Sequence, residues 1–218
     1  MRREIIPVIL AKNSADFKGK LEVIKKLRPR PKMIQIDVVD GKFAPFKTYN
    51  APAKVKGILR GINFEADLMV IDPLKHTKAW IEAGAKRILF HIESAKGPKA
   101  VIDFVRAKKR EVGLSLNPDR SPVQKVFPYL KKIDAVLLLG VRPGKSGQKF
   151  HRHVLQKIQM LRRRAPALPI EVDGGVNLIH AKEMFKAGAT RLAAATAITN
   201  AENPQNSYQQ LLEIARSR

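Results

Sequence analysis

Eight short apolar runs, each followed by a stretch with helical spacing, constrain this chain more than any other feature. The runs are Ile5–Ala11, Met33–Val38, Phe64–Val70, Arg87–Ile92, Val112–Leu116, Ala135–Val141, Ile170–Val172 and Arg191–Ile198. Most are apolar at consecutive positions, so neither face of the strand can be wet. Parallel strands covered on both sides carry that signature. Between them, Phe17–Leu27 places Leu21, Ile24 and Leu27 on one face, Lys99–Lys109 groups Val101, Ile102 and Val105, and Val154–Arg163 groups Leu155, Ile158 and Leu161. Lys75–Ala83 and Ile179–Ala187 run into Gly84 and Gly188, a helix-end signal, and Val123–Ile133 follows Ser121-Pro122, a cap and a first-turn proline. Ala53–Leu59 and Ser207–Ala215 complete eight helical segments. Eight strands alternating with eight helices in 218 residues predict a single (β/α)8 TIM barrel over residues 1–218, of the α/β class. A doubly wound sheet is the rival. It needs fewer strands and usually a Gly-rich first turn, which AKNSAD (11–16) lacks.

The chain carries 42 Lys and Arg against 19 Asp and Glu, a net charge of +23. Such a charge attracts phosphates, nucleic acid or anionic membranes. Its clusters (Lys25, Lys26, Arg28, Arg30 and Lys32; Lys108, Lys109 and Arg110; Arg162, Arg163 and Arg164) sit at the ends of expected helices, where cations suit the helix dipole. Aromatic residues make up 6% and are not interleaved with these clusters, so no stacking platform is visible and nucleic-acid binding is not favoured as the main role. The absence of cysteine excludes disulfides, thiolate metal sites and thiol nucleophiles. No apolar run approaches the roughly 20 residues that cross a bilayer. A cytoplasmic protein is the expectation.

Barrels place their chemistry at the C-terminal ends of the strands. There the sequence offers Asp37 on the second strand, Asp67 on the third and Asp173 on the seventh. Carboxylates converging on one axis repel each other unless a cation or a shared proton compensates. Gly174-Gly175 and Ala195-Thr196 follow the last two strands, where small residues let backbone N–H groups approach a phosphate. Such a combination suits proton transfer beside the carbonyl of a sugar phosphate. Asp40 reads as a loop hydrogen-bonder, His91 as a satisfied interior histidine, and His76, His151, His153 and His180 as solvated residues of helical segments.

The segments IDVVDGKFAP (36–45), DLMVIDP (67–73), FHIES (90–94), LNP (116–118), RPGKSGQKF (142–150) and EVDGGVN (171–177), taken in order, resemble the ribulose-phosphate 3-epimerase family over nearly the whole chain. The resemblance implies a barrel that interconverts D-ribulose 5-phosphate and D-xylulose 5-phosphate. It matches Asp37 and Asp173 to the acid and base that work on opposite faces of the substrate, through an enediolate held by a divalent metal. The family binds that metal with two His and these two Asp. Here the histidines are Gln35 and Asp67, leaving an all-oxygen set of Gln35, Asp37, Asp67 and Asp173, which favours Mg²⁺ or Mn²⁺ over Zn²⁺.

Other departures follow. Of the methionines that line the family's site only Met69 remains, with Val39 and Leu139 in place of the others. The lid's Asn-Pro-Gly-Phe is Arg142-Pro143-Gly144-Lys145, and Gly144, Lys145, Ser146 and Gly147 are expected to close over the ligand. The strand-eight Gly-Ser of the phosphate grip is Ala195-Thr196. These changes leave two alternatives open: an epimerase or isomerase of another ketose phosphate, and a catalytically decayed barrel that binds phosphate or RNA. Relatives of the family often assemble, which favours a homodimer, while repulsion between basic copies works against it.

Overall fold

The computed structural model describes residues 2–94, 97–143 and 148–217. Eight parallel strands pair in chain order and close on themselves: β1 (Glu4–Ile9), β2 (Ile34–Val39), β3 (Phe64–Met69), β4 (Arg87–His91), β5 (Glu111–Leu116), β6 (Ala135–Leu139), β7 (Ile170–Asp173) and β8 (Arg191–Ala194). The outer layer holds α1 (Ser14–Lys26), α2 (Pro52–Ile58), α3 (Pro73–Glu82), α4 (Pro98–Ala107), a 3-10 segment (Val123–Tyr129), α5 (Val154–Arg164), α6 (Leu178–Ala187), α7 (Thr196–Thr199) and α8 (Pro204–Arg216). The expected (β/α)8 barrel is what the chain forms.

Local chemistry starts these helices. The side chains of Asn13, Asp72, Asn177 and Asn203 accept from first-turn backbone N–H groups, and Pro52, Pro73, Pro98 and Pro204 stand where an N–H has no helical partner anyway. Two expectations need correction. The eighth strand, expected to run to Ile198, ends at Ala194, and Thr196–Thr199 is a helical turn. The apolar run is continuous across the two elements, so periodicity alone cannot divide them. The stretch from Val123 forms a 3-10 segment only to Tyr129, with Pro128 inside it, because proline supplies no donor for an α-helical ladder.

Alternation along the strands sorts the side chains. Outward residues such as Ile36, Leu68, Phe90, Val172 and Leu192 join the helices in one continuous core, while Leu89, Ala135, Leu137 and Leu139 form a small cluster inside the barrel. Ile6, Val8 and Ala193 are buried outside both clusters, and the polar residues of the interior are arranged in two levels. The lower level contains Glu65, Arg87 and Glu171, all buried; Arg87 pairs with Glu65 and Glu111, and its guanidinium lies 3.9 Å from Glu171. The upper level is the candidate site.

Candidate active site

Register sets the upper level. Asp37 stands beside Asp67 on the β2–β3 pair, and Asp173 stands between Leu139 and Ala193. One carboxylate oxygen from each of Asp37, Asp67 and Asp173 lies within 4.8 Å of the others, and all three residues are buried. Gln35, fully buried, bridges two of them: its Nε2 donates to Asp37 Oδ1 and to Asp173 Oδ2, each at 2.7 Å. Ser115 Oγ donates to Asp67 Oδ1 at 2.8 Å. Two buried oxygens have no partner among the described residues, Asp67 Oδ2 and Gln35 Oε1.

Three carboxylates in so small a volume cannot all be charged cheaply. Burial first, then the charges of Asp173 and Asp67, hold the Asp37 carboxyl well above the usual carboxylate range. Burial and the charge of Asp67 push Asp173 up to about 7, against the opposing bond from Gln35. Burial raises Asp67 as well, with the neighbouring His91 and Ser115 opposing it. A cation would relieve the same repulsion. The arrangement fits one: the donors are hard carboxylate oxygens, and Asp67 Oδ2 is a buried acceptor with no donor among the described residues. In this arrangement Gln35 turns its amide nitrogen, not its oxygen, to the carboxylates. It is a donor that holds Asp37 and Asp173 together, and it would offer a ligand oxygen only after an amide flip.

Beside the acids lies a small hollow of about 60 Å³, partly open to solvent, lined by Asp37, Met69, Asp173, Gly174, Gly175, Ala195 and Thr196. The structure thus brings the expected strand-end residues around one space. Gly174 and Gly175 turn there at φ +90° and +70°, and a Cβ at either would meet Val141 or Phe150 at 2.5 to 2.8 Å. Only glycine fits such a turn without strain. The expected lid residues Gly144, Lys145, Ser146 and Gly147 lie outside the described residues. At the rim, Arg142 Nε donates to Asp119 Oδ2 at 2.8 Å.

His91 is more than an interior filler. Its Nδ1 lies 3.2 Å from Glu93 Oε2, its ring packs on Phe43 at 4.7 Å, and its buried Nε2 has no partner among the described residues. Bonds from His91, Ser121 and the Asn117 backbone outweigh burial and hold Glu93 at about 2, so an ionised carboxylate faces the ring. The pattern His91-Ile92-Glu93, with both polar residues on one face of the chain, is the signal in the sequence for this pair. Asp40 is the loop hydrogen-bonder expected, accepting from the N–H groups of Lys42, Phe43 and Ile71. His151 and His153 precede α5 instead of lying in it; His151 sits 3.3 Å from Asp119, and His153 Nε2 lies 3.0 Å from the Pro118 carbonyl.

The model of the ribulose-phosphate 3-epimerase family matches residues 4–199. The chain belongs to this family. It is 33% identical over 210 residues to the ribulose-phosphate 3-epimerase of Schizosaccharomyces pombe, covering 94% of this chain and 90% of that protein. It is 31% identical over 207 residues to the enzyme of Oryza sativa named a cytoplasmic isoform, covering 92% and 89%. Among solved structures, 3-keto-L-gulonate-6-phosphate decarboxylase from Vibrio cholerae superposes with a TM-score of 0.74 at 15% identity, covering 99% of this chain and 98% of that one; that likeness shows the fold. Within the ribulose-phosphate 3-epimerase family, this member has Gln35 and Asp67 where the resemblance implies imidazoles, and the structure sets both against the two retained aspartates. No helix among the described residues is long and apolar enough to cross a membrane.

Proposed function

We propose that this family member is a sugar-phosphate 3-epimerase acting on D-ribulose 5-phosphate and D-xylulose 5-phosphate. The observation that carries the reading is the meeting of Asp37, Asp67 and Asp173 at the barrel mouth, beside the Gly174–Gly175 turn. Asp37 and Asp173 are the acid and base. Inversion at one carbon needs a group to take the proton from one face and another to return it to the opposite face. β2 and β7 stand three strands apart around the ring, so their carboxyls approach the hollow from different sides. Without a cation the Asp173 carboxyl stands near 7, and a bound cation would relieve the repulsion that raises it. Gln35 sets the two groups at a fixed separation.

Asp37, Asp67 and Asp173 would hold a divalent cation, Mg²⁺ or Mn²⁺ in preference to Zn²⁺ because every donor is a carboxylate oxygen. When bound, it would supply the positive charge that stabilises an enediolate. The backbone at Gly174, Gly175, Ala195 and Thr196 takes the phosphate, with Met69 against the sugar and Gly144–Gly147 as the lid. A cytoplasmic location accompanies this reading, in keeping with the rice relative. The test is turnover of ribulose 5-phosphate by metal-stripped protein with Mg²⁺ or Mn²⁺ restored. No turnover with either cation contradicts the reading, and faster turnover of a six-carbon ketose phosphate replaces its substrate.

A further inference from the structure

Along the sequence the basic residues look dispersed, but the topology gathers them. Every helix that leads into a strand runs antiparallel to it, so helix C-termini and the loops after them share the end of the barrel opposite the catalytic mouth. At that end lie the residues ahead of β1, the last four residues of α1 to α6, of the 3-10 segment and of α8, and the segments that return to each strand. These hold 21 Lys and Arg against three Asp and Glu, Glu82, Asp134 and Glu213. The first residues of the strands, at the same end, add Arg87 and Arg191 against Glu4 and Glu111, so that end carries 18 of the chain's surplus of 23. Seventeen of the 21 are exposed. The helix dipole explains a cation or two in a last turn. It does not explain Arg28, Arg30, Lys32, Arg60, Lys131 or Lys132, which lie beyond the helices, nor the near-exclusion of acids. Like charges crowded on one face repel each other and oppose folding.

We propose that this end of the barrel is a docking surface for nucleic acid, bound through its phosphate backbone without regard to sequence. Three features choose that partner. The cations cover a broad end, where a small anion would need one pocket. Eleven of the 21 are arginines, whose planar guanidinium matches phosphate oxygens in pairs. A cleft of about 740 Å³ lined by Arg2, Arg3, Arg30, Lys32 and Arg216 gives a backbone a place to lie, with Glu4 as its single acidic side chain. A membrane is the weaker match: the exposed large apolar residues, Ile71, Leu178 and Ile179, all sit at the catalytic end, so among the described residues nothing here would enter the acyl region. The nearby rings Phe104, Phe127 and Phe185 are covered by Lys108, Arg164 and Arg3, so bases find no stacking platform, and contact is limited to phosphates.

The test is fluorescence anisotropy of labelled 24-base-pair RNA and DNA duplexes with the full chain, at 50 and 200 mM salt and with excess ribulose 5-phosphate. Binding to unrelated sequences alike is expected, unaffected by the sugar phosphate. For about six phosphate contacts it falls roughly a thousandfold between the two salt concentrations. The variant R30E/K32E/K108E/K109E should lose binding tenfold or more, whereas K18E/K54E/K75E/K182E, with the same change of net charge on the catalytic half of the outer helices, keeps most of it. Circular dichroism confirms that both variants fold; should the quadruple reversal not fold, R30Q/K32Q takes its place with a smaller loss expected. The proposal is overturned by absence of binding at 50 mM salt, by equal loss in both variants, by displacement with the sugar phosphate, or by binding to phosphatidylserine vesicles with none to the duplexes.

Discussion

Replacing Gln35 with Met removes the amide while nearly keeping the volume, and isolates what the bridge contributes. Two bonds to carboxylates are lost, each about 1.5–3 kcal/mol when the acceptor is charged, or roughly 3–6 together. Against this, the unpartnered Oε1 of the native amide is no longer buried, a gain of about 1–3 kcal/mol. The midpoints of the two ranges leave a net loss of about 2.5 kcal/mol with both aspartates ionised. The size must depend on pH. Without the donor the Asp37 and Asp173 carboxyls rise further, and at pH 5.5, where Asp173 holds its proton, its bond is worth less and the loss shrinks. Urea unfolding at pH 5.5 and 8.5 in EDTA reads both numbers. A loss below about 0.5 kcal/mol at pH 8.5, or an equal loss at the two pH values, would refute the view that Gln35 holds two repelling acids together.

Other outcomes follow from the same geometry. Asp173 rises from 3.8 to about 7 on folding, so the protonated form is favoured in the fold. Its contribution is complete below about pH 4 and is lost as pH rises through 7, at most about 4 kcal/mol. Calorimetry in EDTA should show Tm falling between pH 5 and 8, and Mn²⁺ should restore more of it at pH 8 than at pH 5. Arg87→Met strands Glu65 and Glu171 in the interior and should cost about 3–5 kcal/mol in denaturant unfolding. A Gly140→Ala Cβ would stand 2.3 Å from the Gly174 carbonyl oxygen. Because that atom is backbone, the phosphate turn itself must shift, and KM for the sugar phosphate should rise more than kcat falls.

The barrel was legible because its strands are buried on both faces. A run such as Ala135–Leu139 is apolar at every position, and Gly, Pro and Asn mark where each unit breaks. The site acids were legible from their position: Asp37 and Asp67 sit between apolar neighbours, and Asp173 follows Val172, toward the C-terminal ends of their strands. What the sequence did not reveal depends on geometry across the ring. That the Gln35 amide spans β2 to β7, that Ser115 serves Asp67, and that Glu93 faces His91 are facts of which side chains meet, and residues 138 apart give no linear sign of it. The basic clusters at the ends of expected helices are visible in the sequence, but only the topology gathers those ends on one face of the barrel.

The most direct test of the two-acid account is deuterium incorporation at C3 from D2O, followed by NMR with Mn²⁺-loaded Asp37→Asn and Asp173→Asn proteins and each epimer in turn. The account predicts that each variant stops interconversion, and that each still exchanges the C3 proton of one epimer only, the opposite one in the two variants. Undiminished epimerisation by either variant, or exchange of both epimers by one of them, would contradict it.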